Sequence, residues 1–353
     1  MDPLTHLVVG RAVVAAARDE TNDRAVGAAA MLGALSPDVD SVLAFSGWDR
    51  YVRAHQYGTH SFIGALIMAA LAAAVAKRSA EAFALRRTHE RRANANDRSA
   101  KASAERSPAR SAAAFPTVFA AAAAGALSHV LLDLIAGARI AVAWPIAERR
   151  VSLPLVAMFD PWFIGICTGW LLMLWPVRVT LQRASRALVA ALVAFACLKG
   201  VLLGVAIRRS GIAPDAPSAI EAQWASLTDW FVFERSRDLV RSSAISSRGG
   251  PPVVLMTHAI VPDTGFVRAS RALDDVRNFL SVHDFAFPDE THDAAGRVSV
   301  LWSDIRYCWP AEAGARWGPA THCGVHVGGL FDAAGTPIVQ VLRIGTFVLR
   351  RPP

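Results

Sequence analysis

Two short stretches set carboxylates and imidazoles in the middle of apolar sequence. Residues 36–61 read SPDVDSVLAFSGWDRYVRAHQYGTHS, and residues 129–133 read HVLLD. A charged group held beside apolar sequence is costly unless it is paired or bound to a cation. The fold is therefore expected to bring these groups together. Asp and His in company form a donor set for a divalent metal such as zinc.

The surroundings read as a multi-pass protein of the cell membrane. Of the 353 residues, 53% are hydrophobic and 19% charged, more apolar than an ordinary soluble domain. The charge is uneven. Residues 211–353 hold 13 Lys+Arg against 15 Asp+Glu, a net −2, which leaves 24 against 14, a net +10, for residues 1–210. The apolar part is the basic part, as in membrane proteins with positive cytoplasmic loops. No nucleic-acid partner is expected, because the basic residues flank apolar runs and are not interleaved with aromatics. Four cysteines without a CxxC spacing argue against a disulfide scaffold or a Cys-rich zinc site. The first residues lack a basic run and a cleavage pattern, so no cleaved signal peptide is expected.

The expected fold is an all-α polytopic membrane domain, residues 1–210, with an appended β-rich (α+β) domain, residues 211–353. Residues 7–17 form an apolar stretch too short to span a bilayer. Residues 25–45 read as a helix, a break at Pro37, and a second helical piece, since proline removes a backbone donor and disfavours helix at Ser36. Residues 46–61 read as a loop, and 62–76 as a marginal span. Residues 77–114 carry ten Lys+Arg and four Asp+Glu and read as a solvated basic linker or frayed helix. Residues 116–143 read as a long helix, 155–176 as a further span, and 187–207 as the cleanest one. The reading holds four membrane segments and one broken one. Strand-length runs follow at 253–256, 298–302, 325–330, 338–342 and 346–349, with turns expected at Gly249-Gly250, Gly328-Gly329 and Ala334-Gly335.

His129 and Asp133 stand at i and i+4, so they share one helical face. Asp38 and Asp40 stand at a helix break, where the backbone can aim both carboxylates inward. His55 and His60 are five apart, roughly 140° off a common helical face, so they act better from a loop. His6 joins from the N-terminal stretch. These seven residues are the candidate metal ligands. Asp40 and Asp160 are the candidate catalytic carboxylates. Asp160 could be a ligand, an acceptor orienting a histidine, a general base, or the N-cap of a helix whose first residue is Pro161. In the C-terminal domain His322 and His326 stand four apart, but the glycines around them argue against a helical metal pair.

Thr5-His6, Pro37-Asp38-x-Asp40, His55-x4-His60-Ser61, His129-x3-Asp133 and Phe159-Asp160-Pro161 together resemble the YdjM-like family of membrane-bound, metal-dependent hydrolases, described as LexA-regulated in its founding member. The resemblance covers residues 1–210. It extends distantly to the zinc-dependent phospholipase C and single-strand nuclease group, which implies a multinuclear zinc site cleaving phosphoesters. The family pattern has Arg after the first histidine of its His-Arg-Gly-x-Thr-His-Ser motif, and here that position is Gln56. Arg53, Arg139 or Arg149 could supply the missing phosphate-binding group; Arg53 and Arg149 are the substrate-binding candidates. The expected function is zinc-assisted hydrolysis of a phosphoester or lipid headgroup, with membrane lipid as partner and a small molecule or lipid as substrate. The rival is a transporter or channel-like protein that uses intramembrane Asp and His for protons or metal ions. The C-terminal domain is expected to cap substrate, bind a partner or stabilise the chain. The basic linker is expected in the cytoplasm and the C-terminal domain on the far side, where Cys308 and Cys323 could form a disulfide.

Overall fold

The computed structural model describes residues 1–17, 24–45, 51, 54–94, 113–174, 179–211, 218–260, 263–308 and 323–353. The chain forms two compact units. One comprises Met1–Val42 and Arg53–Lys199, the other Leu43–Val52 and Gly200–Pro353.

The first unit is helical. Helix α1 (Pro3–Ala17) and α2 (Arg24–Leu35) lead into a 3-10 helix, Ser36–Phe45, that starts where Pro37 was expected to break the run. A single π-helical turn, Ala54–Thr59, precedes the long α3 (Phe62–Asn94). Helices α4 (Phe115–Ile135), α5 (Pro161–Leu174) and α6 (Leu181–Ser210) complete the set, α6 running on into the second unit. Among the described residues, four stretches are long and apolar enough to cross a membrane: Arg24–Ala44, Phe62–Arg87, Phe115–Ile135 and Leu181–Ser210. The second and the fourth leave their apolar surface largely uncovered. Phe62, Ile67 and Leu71 on α3 and Val193, Leu198 and Val201 on α6 are all exposed, as lipid-facing side chains would be.

Helices α1, α2 and α4 pack through small residues. Their core includes Ala25, Ala29, Ala30, Ala122 and Ala126, joined by Ala65, Ala69 and Ala73 of α3. Two glycines allow backbone to touch backbone. A Cβ on Gly33 would lie 2.1 Å from the Ala122 carbonyl oxygen, and one on Gly125 would lie 2.1 Å from that of Ala30. Small residues at such crossings are the usual device of membrane helices, where close van der Waals contact replaces the hydrophobic drive.

Several expected boundaries moved. The 116–143 helix stops at Ile135, where the chain turns through Gly137 at φ 85°. Within the span expected at 155–176 the described helix is the 14-residue α5, about 21 Å long, and residues 175–176 lie outside the described residues. The helix begins later than expected because Asp160 starts it only at Pro161. The Asp160 Oδ1 accepts the N–H groups of Trp162 and Phe163 at 3.0 and 3.2 Å. Of the basic 77–114 linker, the part up to Asn94 continues α3 as helix, and 95–112 lie outside the described residues.

The second unit holds two antiparallel meanders. Strands β1 (Ser218–Ala222), β2 (Asp229–Arg235), β3 (Leu239–Ser246) and β4 (Val253–Ala259) form one sheet in that order. Strands β5 (Ala286–His292), β6 (Val298–Asp304), β7 (Val325–Phe331), β8 (Pro337–Ile344) and β9 (Phe347–Arg351) form the other. Between β4 and β5 come α7 (Gly265–Ser270) and α8 (Asp274–Val282). Val267, Val276 and Phe279 of these helices pack on Val298, Val300, Trp302 and Val327 of the five-stranded sheet. All five expected strands are present. The Gly249-Gly250 and Ala334-Gly335 turns also hold, with positive φ at Gly249, Gly250 and Gly335.

Gly328-Gly329 corrects an expectation: the pair lies inside β7, not in a turn. A Cβ on Gly328 would come within 1.9 Å of the Val300 carbonyl oxygen on the neighbouring strand. His326 on the same strand is buried, its Nδ1 2.6 Å from Ser303 Oγ and its Nε2 donating to the Cys323 carbonyl at 2.9 Å. His322 lies outside the described residues. Cys308 and Cys323 are joined by a disulfide. Beside it Arg306 grips the buried Asp304 with bonds of 2.9 and 2.8 Å to its two oxygens. Burial alone would raise the Asp304 carboxyl, but His283 and Arg306 more than offset that and hold it well below the usual carboxylate range.

Candidate metal centre

Four helices bring their ends to one place. His6 stands near the start of α1, Asp38 just past the end of α2, His60 just before α3, and His129 and Asp133 in the last two turns of α4. The helical repeat puts His129 and Asp133 on one face, and their Nε2 and Oδ2 lie 3.3 Å apart. His60 is set by the turn before α3. There Ser61 Oγ accepts the Gly64 N–H at 3.0 Å and donates to the Gly58 carbonyl at 2.7 Å, a side-chain cap.

The ring atoms then converge. His60 Nε2 and His129 Nε2 are 3.0 Å apart. Each lies 3.3 Å from Asp133 Oδ2 and 3.5 Å from Asp38 Oδ1. Ligands held tetrahedrally at 2.0–2.1 Å from one ion sit about 3.3 Å from each other. The cluster therefore has the spacing of a four-coordinate metal site. The chemistry of the donor set agrees. His129 Nδ1 lies 2.7 Å from the Ala34 carbonyl, which can only accept, so Nδ1 carries a hydrogen and the neutral ring presents its lone pair at Nε2. Carboxylate and imidazole lone pairs crowded together in a buried space call for a cation.

Asp133 faces two ways. Its Oδ1 lies 3.3 Å from His6 Nε2 and also meets the α-amino group of Met1. His6 is fully buried and stacked on His129, ring centroids 3.7 Å apart. The 3.3 Å contact is not aligned as a hydrogen bond, so among the described residues neither His6 ring nitrogen has a hydrogen-bond partner. His6 thus stands beside a carboxylate oxygen whose cationic partner is the Met1 α-amino group.

Asp40 and His55 stand behind this cluster. Asp40 is buried, with His55 Nδ1 3.3 Å from its Oδ1 and Thr59 Oγ1 2.5 Å from its Oδ2. Asp40, His55 and His60 could themselves hold an ion. Asp160 does not join either group. It is buried as the cap of α5, the one role among those expected of it that its hydrogen bonds serve. Arg149 is exposed, and its neighbour Arg150 lies over the Tyr57 ring, 6.0 Å from the centroid. Arg139 is half-buried, and Arg53 lies outside the described residues. Sequence reasoning missed Thr59 and the Ala34 carbonyl. Thr59 is polar and adjacent to a candidate ligand, a usable signal; a backbone carbonyl gives none.

Residues 1–210 match the family described as YdjM inner membrane protein. The chain belongs to that family. No curated protein and no solved structure matches it. As a YdjM-family protein with four stretches able to cross a membrane, it is a multi-pass membrane protein, and its His and Asp groups could hold a metal ion.

Proposed function

We propose that this protein is a zinc-dependent hydrolase of the membrane surface, acting on a phosphoester or lipid headgroup. One observation carries the reading: His60, His129, Asp38 and Asp133 present their ligand atoms within 4.8 Å of one another, at one end of the helices. A bound zinc polarises a phosphoryl or carbonyl oxygen and lowers the pKa of a water toward neutrality. Asp38, His60, His129 and Asp133 would hold the ion, with His6 beside Asp133 as a further candidate ligand.

The chain's own residues supply the rest. The His129 and Asp133 side chains are closed off at 0% and 6% exposure, while the Asp38 side chain is 31% exposed. That leaves one side of the site open, as a catalytic site needs and a structural one does not.

The test uses full-length protein in detergent. Metal analysis should return bound zinc, and a screen of phosphodiester and phospholipid substrates should find hydrolysis. Asp133→Asn should lose both metal and activity while still inserting in the membrane. Full activity in that variant, or wild-type protein that binds no metal, would sink the assignment.

A further inference from the structure

Thr59 belongs to no ligand set, yet it touches three groups of the site. Its Oγ1 lies 2.5 Å from Asp40 Oδ2, 3.0 Å from His60 Nδ1 and 3.3 Å from the Ala54 carbonyl. A hydroxyl has a single hydrogen to give. The buried carboxylate is the nearest and strongest acceptor, so the hydrogen goes to Asp40. What Thr59 turns toward His60 is therefore a lone pair, and His60 Nδ1 must carry the ring hydrogen. In the neutral ring that leaves the His60 Nε2 lone pair pointing into the cluster, 3.0 Å from His129 Nε2 and 3.3 Å from Asp133 Oδ2.

We propose that Thr59 and Asp40 are positioning residues that hold His60 in its metal-binding tautomer, and that Asp40 and His55 bind no ion of their own. This rests on the metal reading above. Three facts support it. Asp40 approaches His60 from the Nδ1 side, at 3.8 Å, so it meets the opposite edge of the ring from the cluster. Its two oxygens are each engaged, one by Thr59 and one by His55. A carboxylate with a 1% exposed side chain is costly without such donors, so these contacts give Asp40 a settled role that needs no ion. The arrangement matches that around His129, whose Nδ1 is tied back to the Ala34 carbonyl. His129 and His60 thus each have the outer nitrogen fastened, one by backbone and one by a Thr–Asp pair.

The experiment measures zinc binding to the full-length protein in detergent by competition with a chromophoric chelator. It compares wild type, Thr59→Val, Thr59→Ser and Asp40→Asn, with a melting curve for each. Thr59→Val keeps shape and removes the hydroxyl; it should weaken zinc about 10–100-fold with unchanged stoichiometry. Asp40→Asn should weaken it comparably, and Thr59→Ser, which restores the hydroxyl, should bind within about 3-fold of wild type. Wild-type affinity in Thr59→Val would overturn the proposal. So would Asp40→Asn that loses one whole equivalent of zinc and keeps the rest at full affinity, because Asp40 would then be a ligand. If Thr59→Val melts far below wild type, the Thr59→Ser and Asp40→Asn arms decide. Wild-type protein that binds no zinc would instead overturn the metal reading itself, a result distinct from the others.

Discussion

Gly125→Ala tests whether helix approach sets the metal site. The added Cβ would lie 2.1 Å from the Ala30 carbonyl oxygen, 2.9 Å from the Ala34 nitrogen and 3.0 Å from the Ala30 carbonyl carbon. All three are backbone atoms of α2, so no side chain can swing aside. Helix α4 must move off α2 by about 1 Å to restore ordinary contact. His129 lies one turn further along α4, and its Nδ1 is 2.7 Å from the Ala34 carbonyl of that same α2. A 1 Å separation stretches this bond to about 3.7 Å, outside hydrogen-bonding range. Two effects should follow together: a loss of about 1–3 kcal/mol of stability from overpacking, and zinc binding weakened about 10–100-fold as the imidazole loses its anchor. The matched control is Gly204→Ala on α6, where an added Cβ meets nothing within 4 Å; it should bind zinc like wild type and be at least as stable. Thermal melts and chelator competition on detergent-purified protein read both quantities. Gly125→Ala protein that melts and binds zinc like the Gly204→Ala control would refute the reasoning.

Asp160→Ala should cost about 1 kcal/mol through loss of the α5 cap and leave zinc affinity unchanged; a large drop in affinity would return Asp160 to the metal site. Asp304→Asn should destabilise the C-terminal domain by about 2–3 kcal/mol, because it leaves the buried Arg306 guanidinium with only the 3.7 Å contact to Glu221 as a charge partner. The folded Asp304 carboxyl is depressed, so its contribution is present above the unfolded value of about 3.9 and is lost as pH falls below it. Wild-type melts should therefore show an acid-side loss that Asp304→Asn lacks, and parallel curves would count against the pair. The basic end of α3 is expected in the cytoplasm. In intact cells Ala100→Cys should then resist a membrane-impermeant thiol reagent, while Cys308 and Cys323 stay blocked as a disulfide until reduced. Outside labelling of residue 100, or free thiols at 308 and 323, would reverse the orientation.

The metal cluster was legible where its logic is local. His129 and Asp133 share a face because four residues make nearly one helical turn, and Pro37 marks the break that frees Asp38. The β-rich domain was legible through runs that alternate over short lengths, as in β6, where Val298, Val300 and Trp302 bury one face. What the sequence left open were choices made by distant partners. Asp40 and His55 read as ligands equal to Asp38 and His60, and only the fold shows Thr59 between Asp40 and His60 Nδ1, the contact on which their proposed positioning role rests. Asp160 read equally as ligand, orienting acceptor, base or cap, and the N–H groups of Trp162 and Phe163 on its oxygen show the cap that starts α5 at Pro161. Gly328-Gly329 reads as a turn in one dimension and proves to be strand, because Val300 passes too close for a side chain. In each case the residue type limits which bonds a group can make, while the other end of the bond is chosen by tertiary packing. The Ala34 carbonyl that fixes His129 lies 95 residues away and has no side-chain signature at all.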